Sequence, residues 1–110
     1  MPTDKQARIR ELNDALRTKG QDGEIVETVG VNQLPGDVRA QALRRLREMD
    51  DFTDDTDPHG EHDFGQVEVS GYKFFWKIDY YDKNVEYGSE DPADPDLTHR
   101  VMTIMLAEEY

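Results

Sequence analysis

The sequence predicts an α+β domain in which two or three helices cover one face of a small antiparallel sheet of two to four strands. Three observations carry this expectation. Apolar residues recur every three or four positions over 4–19 and again over 35–50, the period of an amphipathic helix. β-Branched and aromatic residues crowd 25–31 and 67–81, and the second stretch is broken by a Ser-Gly pair suited to a hairpin near 65–81. The chain has 110 residues, enough for a single domain over 1–110 with one modest core.

Taking the elements in order, Thr3 is placed as a helix N-cap with Gln6 three residues on, the spacing of a capping box. Ile9, Leu12, Ala15 and Leu16 form the apolar stripe of a helix over 4–19, with Arg8, Arg10 and Arg17 expected mostly outward and Gly20 and Gly23 ending it. Ile25, Val26, Thr28, Val29 and Val31 predict a short strand, with Gly30 as a bulge or its end. Pro35 suits the first turn of a second helix, in which Val38, Ala42, Leu43, Leu46 and Met49 face inward and which ends near Asp50. Val67 and Val69, the Ser70-Gly71 turn and the run from Tyr72 to Tyr81 make the hairpin, with Tyr72, Phe74, Trp76, Ile78 and Tyr80 sharing the core face. Residues 82–97, with Gly88, Pro92 and Pro95 among six acids, read as an extended acidic loop. The final segment, 99–110, with Thr98 or Asp96 as its cap, fits either a helix or a buried strand, and a helix is favoured because Met, Leu, Ala and Glu are good helix formers.

Composition narrows the function. The chain has no cysteine, which removes disulfides, thiolate metal sites and a cysteine nucleophile. No signal-like apolar run opens it and no stretch is long and apolar enough to span a bilayer, so a cytoplasmic protein without membrane association is expected. The charge is polarised along the chain. Residues 1–49 hold nine Lys or Arg against eight Asp or Glu, whereas 50–110 hold four against seventeen, and the whole carries −12. An acidic surface cannot release counterions from a phosphate backbone, which excludes ordinary direct binding of nucleic acid. It complements a basic protein surface instead, although acidity also serves solubility alone.

The densest acid lies at 50–63, where Asp50, Asp51, Asp54, Asp55, Asp57, Glu61 and Asp63 surround His59 and His62 without a single Lys or Arg. His59, His62 and Asp63 offer imidazole and carboxylate ligands for zinc or another divalent metal, with Glu61 as a base toward bound water. The HxxH spacing nonetheless sits in a Pro- and Gly-containing loop and lacks the helical HExxH pattern. Hydrogen bonding by the two histidines, ordering a loop that otherwise repels itself, is the favoured reading. Asp55, Asp57, His59 and Gly60 also fall at calcium-loop positions, but the twelfth place is Gln66, which has no carboxylate to donate. Neither Ser70 nor Ser89 has a nucleophile elbow around it, and no Gly-rich phosphate cradle occurs.

The strings DPHGEHDFG, FFWKIDYYD, YGSEDPADP and RVMTIMLAEEY, spread over most of the chain, resemble a small bacterial family known as domain of unknown function 3768. The resemblance brings no activity with it. It implies a setting in bacterial chromosomes, plasmids and other mobile elements, where counter-defence or element maintenance are the roles to weigh.

The function expected from charge and setting is that of a non-enzymatic acidic interaction protein with no cofactor. It would bind a basic protein surface, such as that of a nucleic-acid-binding complex, as a nucleic-acid mimic or an inhibitor of a defence nuclease of the anti-CRISPR or anti-restriction type. Asp50, Asp51, Asp54, Asp55 and Asp57, with Glu90, Asp91 and Asp94 from the later loop, are the residues expected at that interface. The alternative is a metal-binding protein or metal-dependent hydrolase built on His59, His62 and Asp63.

Overall fold

The computed structural model describes residues 3–110 and has the α+β architecture anticipated, with helices on one face of a four-stranded sheet. Helix α1 (Asp4–Lys19) begins with the capping box, Thr3 Oγ1 accepting from the Gln6 backbone N–H at 3.1 Å and Gln6 Oε1 from the Thr3 N–H at 2.8 Å. It stops at Gly20, whose left-handed conformation directs its N–H back to the last carbonyls. Ile9, Leu12 and Leu16 are buried as the stripe requires, but so are Asn13 and Arg17. The expectation that Arg17 points outward is therefore corrected. Its guanidinium finds a polar partner inside, as described below.

Strand β1 (Gly23–Glu27) is shorter than the β-branched run. Thr28 ends it by capping a one-turn helix, α2 (Val29–Asn32), so Val29, Gly30 and Val31 are helical rather than extended. The C-terminal Glu109 holds this turn from outside, accepting from the Thr28 hydroxyl at 2.7 Å and from the Gly30 N–H at 3.2 Å. These hydrogen bonds keep the Glu109 carboxyl below its usual range, the Thr28 contact first. Helix α3 (Gly36–Glu48) buries Val38, Ala42 and Leu46 and turns Arg44, Arg45 and Arg47 outward.

Strands β2 (Phe64–Val69) and β3 (Tyr72–Tyr81) form the expected hairpin. Ser70 and Gly71 both take positive φ, 51° and 83°, the geometry that matches the twist of two paired strands. Phe74, Trp76 and Ile78 are buried on the helix side, whereas Tyr72, assigned from the sequence to the same core face, is exposed at the hairpin end. Trp76 lies flat against Gly65 on β2, where a Cβ would overlap the indole ring.

The final segment takes the strand alternative rather than the favoured helix. β4 (His99–Leu106) runs through the middle of the sheet and is followed by one 3₁₀ turn, Ala107–Glu109. Helix propensity loses here because the segment alternates: Arg100, Met102, Ile104 and Leu106 face the helices, and Val101, Thr103 and Met105 the other side. Flanked by β1 and β3, the strand has main-chain partners on both edges, while Val101 and Thr103 on the face away from the helices stay half-buried. The strand order is β1-β4-β3-β2, antiparallel except that β1 runs parallel to β4. That parallel pair joins residues more than 75 positions apart, from Gly23↔Arg100 to Glu27↔Ile104. The core between sheet and helices gathers Leu16, Val31, Val38, Leu46, Phe74, Trp76 and Met102. No helix among the described residues is long and apolar enough to cross a membrane.

Candidate interaction surface and its buried anchor

The acidic stretch after α3 is an ordered loop built in two layers. Thr53 and Thr56 bond reciprocally, each hydroxyl accepting from the other's backbone N–H at 3.1–3.2 Å, and the Asp57 N–H reaches Thr53 O at 2.7 Å. This turn holds Asp54 and Asp55 at its tip. Beneath it, Asp57 is 8% exposed and its carboxylate accepts from the His62 backbone N–H at 3.2 and 3.3 Å. The His62 ring stacks on Phe52 at 3.8 Å between centroids and 7° between planes. Its Nδ1 lies 2.9 Å from Asp14 Oδ1 on α1, and its Nε2 lies 3.6 Å from Asp57 Oδ2.

A second support comes from Arg17, only 4% exposed. It donates to the Leu46 and Met49 carbonyls at 2.7 and 2.9 Å, closing the C-terminus of α3, and to Asp14 at 3.1 Å. Its guanidinium also lies 5.3 Å from the Phe52 ring and 5.4 Å from Trp76. Phe52, His62, Asp14 and Arg17 thus tie the loop to α1 and to the end of α3.

A third group joins this loop to the later one. Asn13 Nδ2 donates to Glu61 O at 3.0 Å and to the Tyr80 hydroxyl at 2.8 Å, while its Oδ1 accepts from Arg100 Nε at 2.9 Å. Arg100, 1% exposed on the central strand, donates in turn to the Pro92 carbonyl of the 82–97 segment and lies 5.3 Å from the Tyr80 ring. That segment is further closed by Ser89 N–H to Tyr80 O at 3.0 Å and the buried Thr98 hydroxyl to Asp91 O at 2.8 Å. Both acidic loops are therefore fastened to a single Asn13–Arg100 pair inside the domain.

The electrostatics follow from this packing. Burial, then the neighbouring Asp57 charge, raises the Asp63 carboxyl above its ordinary range, and burial followed by Asp63 does the same to Glu61. The Tyr80 phenol is raised mainly by burial, and the Arg100 guanidinium is lowered by the same cause. The interior of this end of the molecule thus already resists further negative charge.

Outside it the carboxylates are of two kinds. Asp50, Asp51, Asp54, Asp55 and Glu90 are exposed, and none of them takes part in a side-chain hydrogen bond or ion pair among the described residues. Asp57, Asp91 and Asp94 have internal work: Asp57 within its loop, Asp91 toward Lys5 at 3.3 Å and the Ala93 N–H at 3.2 Å, Asp94 toward the Asp96 N–H at 2.9 Å. Asp63 accepts from the Tyr80 hydroxyl at 3.4 Å, and its carbonyl from the Ile78 N–H at 2.8 Å. His59 is exposed, and among the described residues no cluster of three or more His, Asp or Glu is arranged to hold a metal ion.

Sequence reasoning missed Phe52, Asn13, Asp14, Arg17 and Arg100. A signal existed for some of them. Asn13 and Arg17 are one helical turn apart and flank Leu12 and Leu16, and Arg100 shares the alternation of Met102 and Ile104, so each is a polar residue on an apolar face.

No curated protein and no solved structure matches the chain significantly. A family model does match, over residues 27–109, taking in both acidic loops and all of the sheet except most of β1, while α1 precedes it. The chain belongs to this family, described as protein of unknown function (DUF3768).

Proposed function

We propose that this protein is a non-enzymatic acidic interaction protein whose two loops, 50–63 and 82–97, together bind a basic surface on a protein partner. The observation that carries the reading is the shared anchor. Asn13 and Arg100 hold both loops from inside, while Asp50, Asp51, Asp54, Asp55 and Glu90 stay outside with no internal cation to satisfy them. Unpaired carboxylates on an ordered frame meet a basic partner with little ordering cost, which is how preorganisation raises affinity. The partner class that fits is a protein complex with a groove for nucleic acid, such as a defence nuclease, because that groove presents fixed cations at the spacing of backbone phosphates. On this reading the protein acts as a nucleic-acid mimic and inhibitor.

The test is capture of a partner on immobilised protein at low and high salt, repeated with Asp54→Lys and Asp55→Lys together. Screening and charge reversal should each release the partner, since long-range attraction between exposed charges fades within about 10 Å at ~0.1 M salt. Retention unaffected by both treatments refutes the electrostatic reading. Stoichiometric zinc in untagged protein, lost in His62→Ala, would instead assign His59, His62 and Asp63 as ligands.

A further inference from the structure

We infer that β1 is a docking edge for a second copy of this chain, joining two sheets into one across a two-fold axis at Ile25. β1 is an outer strand with β4 on one side only. The Thr28 N–H donates to Ile104 O at 3.0 Å, so by the alternation of a strand Val26 and Glu24 also turn their main chain toward β4. Gly23, Ile25 and Glu27 then turn theirs away from the sheet. Of these groups, only the Glu27 carbonyl has a partner among the described residues, Asn32 Nδ2 at 3.4 Å. The strand carries no proline, no lysine and no bulge, three of the devices that guard an open edge, and is protected only by its shortness and by Glu24 and Glu27. At the opposite edge, Arg45 donates to Glu68 O at 3.0 Å across β2.

The occupant is set by charge and register. Each copy carries −12 overall, but β1, α2 and α3 all lie in residues 1–49, where nine cationic side chains meet eight anionic ones. This edge is the near-neutral side through which two such molecules approach most cheaply. An antiparallel pair centred on Ile25 exchanges both hydrogen bonds between the two Ile25 residues and sets Gly23 opposite Glu27 of the other copy. Glu24 then faces Val26 of the other copy, so no two like charges are opposed. Glu27 is held back by Arg39 at 3.0 Å, clear of the new strand. On the helix side, a cavity of about 420 Å³ lined by Ile25, Val31, Leu43 and Ile104 among others opens beside the strand. The Ile25 of the second copy lies against its apolar wall.

Sedimentation equilibrium of the full chain, from micromolar to millimolar concentration at low and high salt, tests the inference. A reversible dimer is expected that strengthens with salt, because screening relieves repulsion between two anions. That is the opposite of the salt response of the acidic loops toward a basic partner, so the two readings fail separately. Ile25→Pro removes an outward N–H and no bond to β4, and should abolish the dimer while urea unfolding stays cooperative. Should that variant not fold, Val26 on the open face decides: Val26→Glu, set against Glu24 of the other copy, should weaken association about tenfold and Val26→Lys strengthen it about as much. Asp54→Lys, remote from β1, should act only through net charge and shift association far less than either Val26 variant. A monomer under all conditions, or a dimer indifferent to both Val26 variants, overturns the inference.

Discussion

His62 is the keystone of the acidic loop, and replacing it offers the most direct check on the packing described above. His62→Ala removes the ring that stacks on Phe52 at 3.8 Å and meets Asp14 at 2.9 Å. A stacked aromatic pair contributes about 1 kcal/mol beyond its buried area, and the bond to Asp14 about another 1 kcal/mol, so a loss near 2 kcal/mol is expected. For a domain of this size that lowers the melting temperature by about 10 °C. The backbone supplies an internal control. His62 has φ of 55°, where a side chain costs roughly 1 kcal/mol, so His62→Gly loses the same ring but relieves that strain. Glycine should therefore be the milder substitution, by about 1 kcal/mol on that principle. Urea unfolding measures both values, and amide exchange should show faster opening over 57–63 while the β3–β4 amides stay protected. An alanine variant within about 0.5 kcal/mol of the parent, or a glycine variant no better than alanine, would mean that the loop is held by something other than this ring.

Further outcomes follow from the same contacts. Arg17→Met keeps the apolar stem but leaves the Leu46 and Met49 carbonyls without their donor, which should cost about 3 kcal/mol in urea unfolding. Gly65→Ala forces Trp76 off the β2 backbone and should destabilise by about 2 kcal/mol, read also as a change in tryptophan emission. Asp63→Asn tests the sign of the electrostatics. Because burial and Asp57 raise the Asp63 carboxyl, its ionisation opposes folding; the fold gains from its protonation below the ordinary value of 3.8 and loses that gain as pH rises through the raised one. The asparagine variant should therefore be more stable than the parent at neutral pH and indistinguishable from it well below 3.8, measured as the urea midpoint at each pH. Glu109, lowered by the Thr28 contact, runs the other way and withdraws its support as pH falls.

How far the sequence carries depends on the range of the forces involved. The capping box at Thr3 and the Ser70-Gly71 turn were legible because both are settled within a few residues. The last strand was not, since 98–110 has the composition of a helix and becomes extended only by lying between β1 and β3. The same limit hid the anchor. Nothing near Asn13 or Arg100 announces their contact, made across 87 positions, whereas the acidic clusters are visible as composition alone. Arg17 was misplaced because an arginine is usually at the surface, and its reason for burial, the end of α3, is 29 residues away.

The distribution of charge then takes on a structural meaning that a net value of −12 does not have by itself. Were acidity only a solubilising coat, the carboxylates would be expected to scatter and to find the nearest cation. Yet the four arginines of α3, Arg39, Arg44, Arg45 and Arg47, form no ion pair with the loop that follows it. Arg39 pairs with Glu27 and Arg45 bonds Glu68 O. The buried cations near the loops, Arg17 and Arg100, spend their donors mainly on backbone carbonyls and on Asn13, and Arg17 reaches only Asp14 among carboxylates. Two cations sit directly behind the acidic loops and neutralise none of their exposed carboxylates. Exposed like charges left uncompensated repel within a Debye length of about 8 Å at physiological salt, and the fold tolerates that repulsion by bonding the loop backbones from within. Such an arrangement is what the proposed binding of a cationic surface calls for.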